Sequence, residues 1–199
     1  MNNAALDQTA AAQDADLLLR YAAGDPAAAR LLSTRLTPRI YAHAARVLGD
    51  RSEAEDVTQE TMLRLWRIAP EWRAGEAQVS TWAFRVVANL CTDRLRQRGR
   101  VSTGLDDIDA APDPGPTAAA QIQQVARLDA LQQALATLPL RQRQAVVLRH
   151  IDGLPNPEIA AILDVGIEAV ESLTARGKRA LSAALASQKD ALGFNDETA

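Results

Sequence analysis

Cysteine is nearly absent from this chain. Cys91 is the only one in 199 residues, which excludes an internal disulfide and argues against a thiolate metal site. His43 and His150 are the only histidines. They stand far apart with no ligand-like neighbours, so core or surface roles fit them better than metal ligation. No apolar run approaches the ~18 residues of a membrane span. The N-terminus, Met-Asn-Asn-Ala-Ala-Leu-Asp-Gln, has no basic stretch followed by an apolar one, as a signal peptide would. A soluble, cytoplasmic protein is expected. Period-two alternation and β-branched runs are scarce, while aliphatic residues, alanine above all, are plentiful. That balance predicts an all-α fold.

A net charge of −3 runs against nucleic-acid binding at first sight. The charge is segregated, however. Arg85 to Arg100 holds five arginines against Asp93 alone, and Val101 to Ala126 holds four acids and no base. A local basic stripe suffices to attract phosphate. Helical patterns cover about Asp14–Ala23, Pro26–Leu48, Ser52–Ala69 and Ser80–Arg98. After a break they resume over Ala118–Thr137, Leu140–Ile151, Pro157–Leu163 and Ile167–Ala186. The break contains Pro112-Asp-Pro-Gly-Pro116 and reads as an extended acidic linker. The expected organisation is a disordered N-terminus (1–13), a four-helix domain (14–99), a flexible linker (100–120), a second helical domain (121–186) and a tail (187–199).

The second domain carries a helix-turn-helix pattern, which places a helix in the DNA major groove. Asp152-Gly153 ends one helix, with glycine suited to positive φ. Asn156 is a candidate N-cap and Pro157 fits the first helical position. Asp164-Val-Gly166 forms the turn; Asp164 stands where glycine is usual, though aspartate tolerates the left-handed conformation. The following helix buries Val170, Leu173, Gly177 and Leu181. It presents Glu168, Ser172, Ala175, Arg176 and Arg179 outward, where Arg176 can read guanine or hold a phosphate. Glu168 and Glu171 equally suit the macrodipole at a helix start.

Two faces in the first domain stand out. Ala54, Val57, Thr61, Leu65 and Ile68 make a core stripe. Asp56, Gln59, Glu60, Leu63 and Arg67 lie opposite, with Leu63 an apolar residue inside a polar face. That face is either a docking surface or a solvated helix side with a stray leucine. On the next helix Ala83, Val87, Leu90, Cys91 and Leu95 point inward. Trp82, Arg85, Asn89, Thr92/Asp93 and Arg96 line up on the other side. An indole for stacking with guanidiniums along the backbone fits a single-stranded nucleic-acid platform, and the Pro70–Val79 loop before it can pocket an extruded base. A tryptophan packing on its neighbours beside solvated arginines fits the spacing equally.

With both blocks read, the chain resembles a bacterial sigma-70-family RNA polymerase initiation factor of the small, two-domain, extracytoplasmic-function type. Ala54-Glu-Asp-Val-Thr-Gln-Glu-Thr-Met-Leu-Arg-Leu-Trp66 is similar to that family's docking segment for the polymerase β′ clamp helices. Thr81-Trp-Ala-Phe-Arg-Val-Val-Ala-Asn89, ending in Asp93-Arg-Leu-Arg96, resembles its −10 recognition helix. Leu138-Pro-Leu-Arg-Gln-Arg-Gln-Ala-Val-Val-Leu-Arg149, running into the helix-turn-helix, resembles its −35 reader. The resemblance implies a sigma2-like and a sigma4-like domain and no catalytic residue or cofactor. It implies that Asp56, Gln59, Glu60 and Leu63 bind core RNA polymerase (β′ and β subunits). Trp82, Arg85, Asn89 and Arg96 would then contact the −10 element, and Glu168, Ser172, Arg176 and Arg179 the −35 element of promoter DNA. An anti-sigma factor is implied as partner, with a stress response as the setting, and holding near the inner membrane follows if that factor is membrane-bound. The linker would thread the polymerase channels, and the two modules would be loosely tethered until polymerase fixes them.

Two departures from the family pattern bear on the −35 reader. Glu171 and Leu173 stand where many relatives are basic, which predicts weaker non-specific DNA binding and a shifted −35 preference. Two rivals remain at this level. A conventional helix-turn-helix regulator would bind an operator without polymerase. A metal-dependent nucleotide hydrolase would use Glu53, Asp56 and Glu60 as Mg²⁺ ligands, but the second acidic motif it needs is missing.

Overall fold

Alanine, the best helix former, dominates the start of the chain, and helix α1 (Asn3–Ala22) begins there. The computed structural model describes residues 3–73, 75, 77–101 and 118–186. The stretch 1–13, expected to be disordered, is therefore helical from Asn3. Local propensity carries the helix eleven residues beyond the point where the apolar pattern starts. Residues 102–117, which hold most of the acidic linker, and the tail at 187–199 lie outside the described residues.

Asp25 starts α2 (Pro26–Leu48): its carboxylate accepts from the Ala27 and Ala28 amides at 2.9 and 3.4 Å, with Pro26 opening the helix. Gly49 ends α2 at φ +73°, a left-handed conformation that glycine adopts freely. Asp50 caps α3 (Arg51–Ile68) through the Glu53 amide at 2.9 Å. After a 3₁₀ turn (Ala69–Glu71), α4 runs Val79–Val101. Arg98 ties its end back to the α2–α3 junction, donating to Glu53 at 2.9 Å, to Asp50 at 3.0 Å and to the Leu48 carbonyl at 3.3 Å.

The second domain comprises α5 (Ala118–Ala136), α6 (Leu140–Val146) continued by a π turn (Val147–Ile151), α7 (Asn156–Leu163) and α8 (Ile167–Ala186). Gly153 turns the chain at φ +76°. Asn156 does not cap α7. The helix starts one residue earlier than expected, and the Pro155 carbonyl accepts from Glu158 and Ile159. Asp164 does adopt the left-handed conformation, φ +54° and ψ +55°, closing α7 with the Val165 amide on the Ala160 carbonyl at 3.1 Å. Among the described residues there is no strand.

The two domains are packed against each other rather than loosely tethered. A contiguous apolar core runs from Leu18, Leu36 and Phe84 in the first domain to Leu135, Val147 and Ile159 in the second. Helix α4 lies on α7, and α2 on α5. The periodicity of either domain alone carries no sign of this contact.

Candidate docking and nucleic-acid faces

Helix α3 buries Ala54, Val57, Thr61 and Leu65 and leaves the opposite side in water. Asp56, Gln59 and Leu63 are exposed on that side, and Glu60 is half-exposed. Leu63 keeps 49% of its surface open, so nothing among the described residues covers it fully. Glu60 is held by Arg64 at 2.7 Å, one turn away. Such a surface pair adds under ~1 kcal/mol to stability, so its geometry is free to serve another partner. Glu53 turns away from Asp56 and Glu60 toward Arg98. The three acids of the hydrolase rival are thus not gathered into one site, and no metal-binding cluster occurs among the described residues.

Helix α4 inserts Phe84 fully into the core, where the buried His43 meets it edge-on at 5.6 Å. Trp82 is half-buried at the other side of the helix start. It stands perpendicular to Trp72 at 6.4 Å between ring centres. The two indoles, with Ile68, Glu71, Arg73 and Ala77, line a cleft of about 260 Å³. Among the described residues the buried Trp72 indole N–H has no hydrogen-bond partner, an unmet donor beside that cleft. Trp72 lies in the loop expected to pocket a base, yet the sequence reading did not single it out. A second tryptophan ten residues before Trp82 was the available signal.

Arg85, Asn89 and Arg96 are all exposed along α4, at helical spacing from Trp82. The arginines of this stripe are not equivalent. Arg98 is committed to Asp50 and Glu53. Arg85 comes within 3.8 Å of the Asp164 carboxylate in the turn of the other domain. Arg94 and Arg96 make no ion pair among the described residues.

Helix α8 buries Val170, Thr174 and Gly177, with Leu173 and Leu181 partly covered. Glu168, Ser172, Ala175, Arg176 and Arg179 are exposed together on the outer side. The Arg176 guanidinium folds back on the Ser172 carbonyl at 3.2 Å. Glu171 is also outward. Leu173 packs toward the core, so of the two departures from the family pattern only Glu171 changes the charge of the outer face. Among the described residues, no helix is long and apolar enough to cross a membrane.

Comparison with known proteins agrees with this layout. Sigma-70 region 2 matches residues 32–101, and sigma-70 region 4 matches residues 128–181. The ECF RNA polymerase sigma factor SigE of Mycolicibacterium smegmatis is 40% identical over 148 residues, 72% of this chain and 56% of its own length. The ECF RNA polymerase sigma factor SigM of Mycobacterium tuberculosis is 33% identical over 170 residues, 85% of this chain and 83% of its own. Among solved structures, CnrH in complex with the cytosolic domain of CnrY superposes with a TM-score of 0.66 at 26% identity, covering 88% of this chain and 98% of that one. RpoE of Bartonella quintana, crystallised with the anti-sigma factor NepR, shares the fold at a TM-score of 0.65 and 24% identity, over 79% of this chain and 96% of that one. Matches to both sigma-70 regions in order, and a relative alike over most of both chains, settle the kinship: this chain belongs to the ECF family of RNA polymerase sigma factors.

Proposed function

We propose that the chain docks on core RNA polymerase through Asp56, Gln59, Glu60 and Leu63 of α3. As a sigma factor it is a non-enzymatic initiation factor that directs polymerase to promoters, and the conventional operator-binding alternative is not favoured. The observation that carries the docking assignment is Leu63, an uncovered leucine centred in a polar helix face. On α4, Trp82, Arg85, Asn89 and Arg96 contact the −10 element. The Trp72–Trp82 cleft takes an unstacked base, which offsets part of the few kcal/mol that extruding it costs. On α8, Ser172 and Arg176, flanked by Glu168 and Arg179, read the −35 element in the major groove. An anti-sigma factor covers the docking face and keeps the chain idle until a stress signal. The cytoplasm is the place of action, close to the inner membrane where that regulator is membrane-bound.

The test is run-off transcription from a genomic fragment library with core polymerase, with and without the protein. Start sites that arise only with the protein, and share two short elements at constant spacing, are expected. No new start sites, together with tight binding of the protein alone to a palindrome, would favour an operator-binding regulator instead.

A further inference from the structure

A hollow on the first domain lies outside the residues assigned to the three contact faces. Tyr21, at the end of α1, and Trp66, in the last turn of α3, stand 4.8 Å apart between ring centres, their planes tilted by 59°. Both are half-buried. Ala29, Arg30, Ser33 and Thr34 of α2 complete the lining of a space of about 450 Å³. Ala29 and Ser33 lie one turn apart, so two small side chains face the hollow where a leucine would fill it. Its size falls within the ~300–1,000 Å³ of pockets that take small molecules.

The lining is rich in donors and holds no acid. The Arg30 guanidinium is exposed and makes no ion pair among the described residues. Asp25, at the start of the same helix, is already engaged, capping α2 and holding Arg20 at 2.6 Å. Thr34 spends its hydroxyl on the Arg30 carbonyl at 2.9 Å. The Tyr21 and Ser33 hydroxyls and the Trp66 indole N–H make no hydrogen bond among the described residues. Two rings beside an arginine without an acid suit a planar ring that carries an anion. The ring packs on the indole, and the anion takes the guanidinium fork in a charge-assisted contact. Phosphate and carboxylate share that chemistry. A purely apolar guest would leave the guanidinium unused, and a bare anion would leave the rings uncovered.

The position of the hollow matters as much as its chemistry. Trp66 stands one turn beyond Leu63 on α3, so the hollow opens beside the uncovered leucine of the docking face. A guest against the indole narrows the approach to that face.

We propose that this pocket binds a small molecule made of a flat ring and an anionic group, stacked on Trp66 and held by Arg30, and that its occupation hinders docking on α3. The pocket rests on its own chemistry; only the hindrance rests on the sigma-factor reading and its docking face.

Two probes separate the sources of the anion: guanosine monophosphate carries it as phosphate, and indoleacetate as carboxylate. Guanosine and inorganic phosphate are the controls for ring and charge alone. Nuclear magnetic resonance on the isotope-labelled full chain resolves three indole N–H signals, one for each tryptophan. One probe or both should move the Trp66 signal at millimolar concentration and leave those of Trp72 and Trp82 in place. Arg30→Gln should weaken that response at least roughly tenfold, the loss of one charge-assisted contact. The same variant should bind core polymerase as the wild type does, while saturating probe should weaken wild-type binding to core several-fold in a fluorescence titration. No movement of Trp66 with either probe overturns the pocket. So does a response led by Trp72 or Trp82, or one that guanosine or inorganic phosphate matches alone. Core binding that Arg30→Gln weakens without any probe makes the hollow part of a protein contact and overturns the small-molecule reading. Probe binding that leaves core affinity unchanged overturns the hindrance. No binding to core even without probe sinks the docking face, and the Trp66 response then decides the pocket by itself.

Discussion

Gly177 lies where the proposed recognition helix crosses α6, and replacing it with alanine sets two known effects against each other. A Cβ built there would stand 2.5 Å from the Val146 Cγ2, 3.2 Å from the Gln142 carbonyl oxygen and 3.3 Å from the Leu138 Cδ2. Alanine gains about 1 kcal/mol over glycine in a helix interior. Overpacking a well-filled site costs ~1–3 kcal/mol. The second effect should win, because neither neighbour can retreat: Val146 and Leu138 are 1% and 3% exposed, and the third contact is backbone. The expected outcome is net destabilisation of about 1 kcal/mol, a fall of ~2–4 °C in the melting temperature of a chain this size. Gly177→Val should cost more, since branching adds atoms to the same gap. Thermal melts followed by circular dichroism measure both. A Gly177→Ala variant that melts higher than the wild type would show that α8 has room on α6 and refute the reasoning.

Arg98→Ala removes the shared donor of Asp50, Glu53 and the Leu48 carbonyl; the site is partly open to water, so a loss of ~1–2 kcal/mol is expected, read as a lower urea midpoint. Leu63→Ala should leave stability within ~0.5 kcal/mol, the usual range for a surface change. It should still weaken binding to core polymerase at least several-fold in a fluorescence titration, and unchanged binding would remove the docking assignment. Burial pushes the Cys91 thiol up to about 12, so iodoacetamide at pH 8 should label it only on unfolding. An unfolded thiol ionises near ~8.5. The folded pKa is the raised one, so the stability held below that pH should decline as pH rises toward 12, and Cys91→Ala should lack this decline in denaturant titrations.

Much of the fold is legible in the sequence because its punctuation is local. Asp25-Pro26 and Gly49 bracket α2 at its expected ends, and α8 occupies its expected span. Asp164 takes up the left-handed turn its position demands, since its short polar side chain tolerates positive φ. The outward sets on α3, α4 and α8 follow from helical periodicity alone, and the structure gathers each on one face. What is not legible is long-range. His43 Nδ1 meets the Asp152 carboxylate at 2.7 Å across 109 residues, and a lone histidine on an apolar stripe reads as plain core. Likewise, Arg143 belongs by sequence to a basic stretch, and only the fold reveals that it caps another helix, donating to the Val47 carbonyl of α2. The π turn is invisible because five-residue and four-residue hydrogen bonding share one apolar pattern. Leu173, although it stands where many relatives are basic, lies on the inward side that helical spacing gives it, packed against the core.

The pairing of its arginines bears on how a chain of net charge −3 handles DNA. Of the basic run in α4, Arg98 is committed to internal acids and Arg85 leans on Asp164, while Arg94 and Arg96 make no ion pair among the described residues. Affinity for DNA falls with salt by about 0.9 log units per log unit for each phosphate contact, and a module with two or three such contacts is weak at any physiological salt. Two weak modules act strongly only when joined at the correct spacing, where the second binding event meets an effective concentration near ~1 mM. On the proposed assignment of the two faces, tighter modules would bind DNA without polymerase, and a modest charge on each would make promoter choice depend on the assembled enzyme.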